Sequence, residues 1–216
     1  MRVIAGSARG RPLRAPIGDA TRPTSDKVKG VIFSMLDAEA MRRGFEPEPG
    51  DDERDGRFAS AVAWPRVLEL FAGSGALAIE ALSRGATRAE LVESDAAARR
   101  ASAANLERTD LAGRATVHGL RSGRAVSTLR GPYDLILVDP PYENAEVPSL
   151  MEQLVERALL NPSGVVVWEH ARATVPPPVI GASGGARALR LIRTNTHGVA
   201  AVSLYAATAE GAGGSP

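Results

Sequence analysis

A stiff turn, Asp139-Pro140-Pro141-Tyr142, directly follows an apolar run over residues 133–138 that has the composition of a buried strand. The turn places a carboxylate, a prolyl carbonyl and an aromatic ring at one strand end. Because proline lacks a backbone N–H and fixes φ at about −65°, the carbonyls of this turn stay free to accept hydrogen bonds. A planar amino group is one suitable donor. The alternative for these four residues alone is a rigid strand-to-helix turn.

A second chemically suggestive turn, Glu69-Leu70-Phe71-Ala72-Gly73-Ser74-Gly75, closes an earlier apolar run. In a doubly wound sheet a nucleotide-like cofactor lies at the carboxyl end of the first strand, where glycines allow close approach of the backbone. Ala78 occupies the third position of the dinucleotide fingerprint, so the spacing alone does not exclude NAD. Glu69 favours a cofactor with an ammonium group, such as S-adenosylmethionine, because a carboxylate would repel a pyrophosphate.

Two further strand ends carry polar residues. Glu93 ends the run 89–93, 18 residues after Gly75, and an acid at this place can accept both hydroxyls of a ribose. The alternative for Glu93 is an exposed charge. His118 ends the run 115–118, and we expect it to pack or to face solvent, because no second His or acid stands at metal-ligand spacing. No metal site is predicted.

The composition is that of a globular protein with one sizeable core. Of the 216 residues, 44% are hydrophobic and 24% are charged, and none is cysteine. The missing cysteine excludes disulfides, thiolate metal sites and a covalent Cys nucleophile. No window approaches the roughly 18 uncharged apolar residues that a membrane helix needs, and the N-terminus lacks an apolar signal core. We therefore expect a cytoplasmic protein.

The charge is unevenly distributed although the formal net charge is only +1. The first 30 residues are rich in cations, whereas residues 46–55 carry six acids against one arginine. A basic arm can neutralise the phosphates of a nucleic acid, and the alternative is a solvated basic surface. The candidate RNA-binding residues are Arg9, Arg11, Arg14, Arg22, Lys27 and Lys29.

The elements that position these residues follow a regular order. The pattern predicts a small hairpin from segments 3–6 and 12–15, a helix capped by Thr24 that runs to about Arg43, and a mobile acidic loop over 45–63. Beyond it, strands at 67–71, 89–93, 115–118, 134–138 and 164–169 alternate with helices near 74–85, 95–108, 122–130 and 146–160. This alternation predicts an α/β protein with a mostly parallel sheet.

The end of the chain departs from the alternation. Segments 188–193 and 199–205 are strand-like with no helix between them, which predicts an antiparallel hairpin that closes the sheet. We divide the chain into a basic N-terminal arm and helix (1–44), an acidic flexible loop (45–63), a cofactor-binding catalytic domain (64–208) and a disordered tail (209–216).

The ordered set of Glu69 to Gly75, Glu93 and Asp139 to Tyr142 resembles the class I S-adenosylmethionine-dependent amino-methyltransferases. More narrowly, the chain is similar to the bacterial 16S ribosomal RNA guanine-N2 methyltransferase family of the RsmD type. The segments that carry this likeness are MRVIAG (1–6), RPT (22–24), FAGSGAL (71–77), EALSRGA (80–86) and DPPY (139–142). The resemblance covers nearly the whole chain except the 45–63 loop and the tail.

The resemblance implies a Rossmann-like class I methyltransferase fold with a mostly parallel seven-stranded sheet. It also implies methylation of guanine 966 of 16S ribosomal RNA, within an assembling 30S subunit, by a monomer that uses S-adenosylmethionine and releases S-adenosylhomocysteine. The expected cofactor-binding residues are Glu69, Phe71, Gly73, Ser74, Gly75, Glu93, Leu120, Asp139 and Thr24. The chain departs from the family pattern at two places. At the adenine end many relatives have an Asp, whereas this chain has Gly119-Leu120. At position 78 relatives often have glycine, whereas this chain has Ala78.

The hypothetical mechanism uses Asp139, Pro140 and Tyr142. The Asp139 carboxylate and the Pro140 carbonyl would accept the two amino hydrogens of the base, and Tyr142 would stack on its ring. The same turn would also serve a DNA or RNA methyltransferase that acts on adenine N6 or cytosine N4. A non-catalytic cofactor-binding or RNA-binding module and a nicotinamide enzyme are the remaining alternatives.

Overall fold

One twisted sheet organises the chain, in a computed structural model that describes residues 1–16, 24–50, 56–141, 144–181 and 187–208. The eight strands stand in the order β3-β2-β1-β4-β5-β8-β7-β6. They are β1 (Arg66–Leu70), β2 (Arg88–Val92), β3 (Ala115–His118), β4 (Tyr133–Val138), β5 (Leu160–Ala171), β6 (Val179–Ile180), β7 (Ala188–His197) and β8 (Ala200–Thr208). The first five strands are parallel, and the last three pair antiparallel.

Helices cover both faces of the sheet. They are α1 (Asp26–Arg42), α2 (Ala59–Ala63), α3 (Ala76–Ser83), α4 (Ala96–Thr109), α5 (Ser122–Thr128) and α6 (Val147–Glu156), with a short 3-10 turn at Ala112–Arg114. Residues of α1, α2, α3 and α4 share one hydrophobic cluster with one face of the sheet, and α5 and α6 share a second cluster with the other. We call these the α1 face and the α6 face.

The N-terminal arm packs on the sheet domain as part of the same core. Val3 and Leu13 belong to the cluster on the α1 face. The arm forms the predicted hairpin, with an antiparallel bridge between Arg2 and Pro12. The fully buried Glu80 of α3 accepts hydrogen bonds from the Ile4 and Ala5 N–H groups at 2.8 and 3.0 Å. A buried carboxylate that is held by backbone donors fixes the arm's position on α3.

The predicted fold class is confirmed, with differences at element ends. The structure adds β6, a two-residue strand that carries no detectable periodicity. The helix α1 is capped by the Ser25 side chain, which accepts from the Val28 N–H, rather than by Thr24. Helix α6 ends at Glu156, earlier than predicted, and Ala158 just beyond it has a φ of 53°.

The predicted loop over 45–63 is wrong at its carboxyl end. Residues 59–63 form α2, and Ala59, Ser60 and Ala61 are buried. An antiparallel bridge also joins Glu48 to Arg57. Residues 51–55, like the tail over 209–216, lie outside the described residues.

Within the described part of the chain, no helix combines the length and the apolar character needed to cross a membrane.

Candidate active site

The register of three parallel strands brings two carboxyl groups together. Val138 of β4 pairs with Leu70 of β1 on one side and with Trp168 of β5 on the other. Because side chains alternate between the faces of a sheet, the next residues, Asp139 and Glu169, both point to the α1 face. The carboxyl edge of the sheet thus presents neighbouring acids beneath the start of α1.

Asp139 is held by groups from two distant parts of the chain. The Thr24 hydroxyl, just before α1, donates a hydrogen bond to Asp139 Oδ2. Asp139 also shares a side-chain hydrogen bond with Glu169, which is buried. A hydrogen bond between two carboxyl groups requires a proton on one of them. Desolvation by burial raises the pKa of Asp139, and the hydrogen bonds from Thr24 and Glu169 oppose this rise.

The turn after Asp139 borders a small cavity. Pro140 is buried and Pro141 is exposed, while Tyr142 lies outside the described residues, so its predicted stacking role stays a prediction. A cavity of about 200 Å³ lies beside Pro140 and reaches Trp168 and His170 of β5. The His170 and Trp168 rings are 4.7 Å apart at their centroids. The stiff turn therefore separates Asp139 from an aromatic-lined hollow on its other side.

The glycine turn has an unusual backbone. Phe71, Gly73 and Gly75 have φ values of 61°, 52° and 74°. Positive φ in a bulky residue such as Phe71 costs roughly 1–3 kcal/mol and occurs mainly at functional sites. A Cβ at Gly75 would lie 2.8 Å from Leu91 Cδ2 and 3.1 Å from Ser102 Cβ. Glycine at position 75 is therefore required by both its conformation and its neighbours, so the turn packs tightly at the start of α3.

Glu69 is buried under the first turn of α3. Its Oε2 accepts a hydrogen bond from the Ala78 N–H at 3.0 Å. Burial raises the pKa of Glu69 from 4.5 to about 8, and the nearby charge of Asp139 adds to the rise, although the backbone hydrogen bond from Ala78 opposes it. Glu69 thus serves the turn itself, and a role toward a cofactor ammonium group stays a prediction.

Glu93 is positioned to hold a polar ligand beside the glycine turn. Its two oxygens accept hydrogen bonds from the Gly73 N–H at 2.8 Å and from the Asp95 N–H at 2.7 Å. The carboxylate is half-buried and fixed by these backbone donors. Each oxygen keeps lone pairs for further donors, as the hydroxyls of a ribose would supply. This pair of acceptor oxygens fits the expected S-adenosylmethionine, whose ribose has two adjacent hydroxyls.

Asn105 of α4 is a site residue that sequence reasoning missed. It is fully buried, and its amide donates to the Ser74 carbonyl at 3.0 Å and to the Arg14 carbonyl at 2.9 Å, while its Oδ1 accepts from the Arg14 N–H at 2.8 Å. One side chain therefore ties the N-terminal arm to the glycine turn. The Ser74 hydroxyl donates to Met1 Sδ of the arm at 3.9 Å. The sequence indicates this role of Asn105 only by the presence of an Asn within a predicted helix.

The residues just after β3, where the adenine is expected, lie beside Arg99. Leu120 is half-buried against the core of the α6 face, and Gly119 is exposed. A Cβ at Gly119 would lie 3.2 Å from Arg99 Nε, so Arg99 occupies the space beside it. His118 Nε2 lies 2.8 Å from Glu90 Oε2, in agreement with a packing role. Among the described residues no group of three acidic or histidine side chains is arranged to hold a metal ion.

Most cations of the predicted RNA-binding arm lie on the surface. Arg9, Arg11, Arg14 and Lys27 are exposed, and Arg11 donates to the Arg108 carbonyl at 3.0 Å. Their contact with RNA stays a prediction, and Arg22 lies outside the described residues.

The prediction for Lys29 is wrong. Its side chain is fully buried, donates to the Arg2 carbonyl and lies 3.3 Å from Asp26 Oδ1 and 4.0 Å from Glu80 Oε2. A buried and paired ammonium group cannot reach a phosphate. Lys29 instead fastens the arm to α1 and α3.

Comparison with known proteins places the chain among bacterial relatives over almost its whole length. The family model described as Conserved hypothetical protein 95 matches residues 1–206. A protein of Bacillus subtilis (strain 168), provisionally named the rRNA methyltransferase YlbH, is 34% identical over 208 residues, which are 95% of this chain and 98% of that protein. Ribosomal RNA small subunit methyltransferase D of Escherichia coli (strain K12) is 32% identical over 182 residues, 82% of this chain and 79% of that protein.

Solved structures agree with the fold. A provisionally named Escherichia coli methyltransferase, yhhF, is 28% identical with a TM-score of 0.70 and covers 97% of this chain and 98% of that one. An RNA methyltransferase of Salinibacter ruber, solved with S-adenosyl-L-homocysteine, has the same fold at 15% identity and a TM-score of 0.52, covering 86% of this chain and 93% of that one. The likeness to yhhF includes the arm as well as the sheet.

Proposed function

Since the chain belongs to the RsmD-type family of class I S-adenosylmethionine-dependent methyltransferases, we propose that it methylates the exocyclic N2 amino group of a guanine in 16S ribosomal RNA. The position implied by the resemblance is guanine 966. The substrate form is an assembling 30S subunit, and the enzyme acts as a monomer in the cytoplasm. The printed names of the relatives support an rRNA substrate, and the site chemistry supports an amino acceptor.

The residues that would hold the cofactor surround the glycine turn. Glu93 binds the ribose, Gly73 and Gly75 allow the backbone to approach, and Leu120 packs against the adenine. When bound, S-adenosylmethionine supplies an electrophilic methyl group on a sulfonium. The carboxylate of Glu93 beside the glycine turn disfavours a pyrophosphate there, and this argues against the nicotinamide alternative.

Asp139 and Pro140 prepare the acceptor. The lone pair of an amino nitrogen on a base is drawn into the ring, so the nitrogen is a poor nucleophile while it stays planar. The Asp139 carboxylate and the Pro140 carbonyl accept its two hydrogens and orient the lone pair, and Asp139 then takes the released proton. Thr24 and Glu169 hold the Asp139 carboxyl in place for this task. Tyr142 stacks on the base after it has left its own stack.

The observation that carries the proposal is the half-buried carboxyl group of Asp139 at the carboxyl edge of the sheet, followed directly by the Pro140 carbonyl. The Pro141 carbonyl is already used, because it accepts a hydrogen bond from the Asn144 N–H at 2.9 Å. Neither a metal ligand set nor a cysteine nucleophile is needed by this chemistry. The arrangement selects a planar amino group as the class of acceptor. The choice of guanine N2 within that class rests on the family likeness.

Transfer of tritium from labelled S-adenosylmethionine tests the proposal. Unmodified small ribosomal subunits, naked 16S rRNA and DNA are offered in parallel, and we expect label on the ribosomal substrates. Asp139→Asn should lower the transfer by about 10²-fold or more while it keeps the affinity for S-adenosylhomocysteine. Glu152→Gln, an exposed carboxylate on α6, is the matched control. Label on DNA alone, or full activity of Asp139→Asn, would overturn the proposal.

A further inference from the structure

We propose that strand β7 carries a second RNA-binding surface, made of Arg190, Arg193, Asn195 and His197, which takes the phosphate backbone beside the target nucleotide. We call these four residues the β7 stripe. The inference rests on the proposed function, because it names how the same RNA substrate is held. It concerns the opposite end of the sheet from the strands that hold the cofactor, and none of its residues belongs to the N-terminal arm.

The register of the closing hairpin puts the β7 stripe on one face. Its members pair with Ala206, Leu204, Val202 and Ala200 of β8, in that order. Residues that stand directly opposite in an antiparallel pair project from the same face of the sheet. These four β8 residues pack in the cluster on the α1 face. A bulge between Leu191 and Arg193 keeps both arginines on that face, although they stand three positions apart.

The β7 stripe is positively charged, and the sequence around it contains no acidic residue. Arg190, Arg193 and His197 are exposed, and Asn195 is half-buried. No Asp or Glu occurs between Glu169 and Glu210, a stretch that also contains Arg172 and Arg187. Among the described residues, neither stripe arginine has a carboxylate within ion-pair distance. Uncompensated guanidinium groups are the preferred protein partners of phosphates.

The β7 stripe leads toward the candidate active site. Asn195 pairs with Val202, Val202 pairs with Glu169, and Glu169 is the β5 neighbour of Asp139. Three strand-to-strand steps of about 4.8 Å place Asn195 roughly 15 Å from Asp139 on the same face. His197 lies nearer the carboxyl edge of β5, and Arg193 and Arg190 follow in the opposite direction. A strand of RNA with one base at Asp139 can therefore lie across the stripe.

The chemistry of the β7 stripe suits backbone contact rather than base reading. Alternate strand residues are about 6.6–6.8 Å apart, so successive cations can meet successive phosphates. Such contacts position a nucleic acid without sequence information and add to the salt dependence of binding. The stripe would thus anchor the RNA on one side of the target base while Arg9, Arg11 and Arg14 contact it on the other.

A purely structural role for the same cations is protection of a sheet edge. Charged residues on outer strands prevent edge-to-edge association. Such protection predicts aggregation when the arginines are removed and no change in RNA affinity. The RNA role predicts a soluble variant with weaker binding.

The test compares Arg190→Gln/Arg193→Gln with Arg124→Gln/Arg130→Gln, which removes two exposed arginines elsewhere on the molecule. Affinity for naked 16S rRNA is measured over a range of salt concentrations, together with affinity for S-adenosylhomocysteine. We expect the stripe variant to bind RNA more weakly and to lose about 1.4–1.8 from the slope of log affinity against log salt, with unchanged cofactor affinity. A third variant, Arg190→Lys/Arg193→Lys, should retain most of the slope.

Equal affinity and equal slope in the stripe and control variants would overturn the inference. Weakened binding to intact subunits with normal binding to naked RNA would also overturn it, because it would indicate a protein partner. The proposed function can fail separately, since it predicts methyl transfer by the wild-type protein. If RNA binding depends on the β7 stripe but the wild-type protein transfers no methyl group, the proposed function is contradicted and the inference about the β7 stripe still holds.

Discussion

Thr24 donates its hydroxyl to Asp139 across 115 positions of sequence, and this hydrogen bond joins the N-terminal arm to the carboxylate at the end of β4. The arm is thereby part of the site as well as a candidate RNA-binding element. Lys29, Glu80 and Asn105 fasten the same arm at three other points. A substitution in the arm should therefore alter the position or the pKa of the Asp139 carboxyl group.

Removal of the Thr24 hydroxyl should alter the pH dependence of methyl transfer. The hydrogen bond stabilises the Asp139 carboxylate, so Thr24→Val should raise the pKa of Asp139 further. Because the carboxylate is the active form, the acidic limb of kcat/KM should move to higher pH. Thr24→Ser keeps the hydroxyl and should behave like the wild type. Superimposable profiles for the Val and Ser variants would contradict this role.

Asn105→Ala should weaken both the fold and the cofactor site. The change leaves the Ser74 and Arg14 carbonyls and the Arg14 N–H without the partners they now have. An unsatisfied buried group such as the Ser74 carbonyl costs about 1–3 kcal/mol, so we expect a clear loss in urea unfolding and a higher Kd for S-adenosylhomocysteine. Asn161→Ala, which removes an amide bonded to Asp134 at the far end of β4, is the control. Equal affinity of both variants for S-adenosylhomocysteine would contradict a role of Asn105 in the cofactor site.

The two glycines of the turn should differ in their tolerance of alanine. At Gly75 a Cβ would lie 2.8 Å from Leu91 Cδ2 with φ at 74°, whereas at Gly73 the nearest atom beyond the adjacent residues, the Phe71 carbonyl oxygen, would be 4.0 Å away. We expect Gly75→Ala to cost about 2–4 kcal/mol of unfolding free energy from overpacking and positive φ together. Gly73→Ala should cost about 1–2 kcal/mol from φ alone. A larger loss for Gly73→Ala in thermal unfolding would contradict the packing found at Gly75.

Glu69 should make the wild type less stable as pH rises. Its pKa is about 8 in the folded protein against 4.5 without burial, so between these values the folded state holds a proton that the unfolded chain has lost. The contribution is fully present below pH 4.5 and is lost as pH rises through 8, with a slope of at most about 1.4 kcal/mol per pH unit. Glu69→Gln lacks this proton. The unfolding free energy of the wild type should fall relative to that of Glu69→Gln between pH 5 and pH 8.5, so that the two values converge or cross. Parallel pH dependences of the two proteins would contradict this.

The sequence predicted the parts of the fold that periodicity controls. Alternating apolar strands and amphipathic helices gave the five parallel strands and the closing hairpin, because burial on both faces demands those patterns. Helix α2 was missed, since the acids, Pro and Gly before it mask an Ala-rich stretch of only five residues. Strand β6 has two residues and cannot show a period.

The sequence predicted those site residues whose position at the end of a strand already indicates their role. The strand-end acids Glu93 and Asp139 fall at the carboxyl edge, as the topology requires. Lys29 was misassigned because its charge was weighed without its position beside Ile32 and Phe33 on the buried side of α1. Glu169, Asn105 and the Thr24 contact depend on partners from other elements, and no local pattern in the chain encodes such pairs.

Identification of the modified nucleoside is the direct test of methyl transfer to guanine N2. Unmodified 16S rRNA and small subunits are incubated with the protein and S-adenosylmethionine, digested, and mapped by mass spectrometry. We expect N2-methylguanosine at a single position, guanine 966. Methyl groups on adenine N6, on cytosine N4 or on DNA would contradict it.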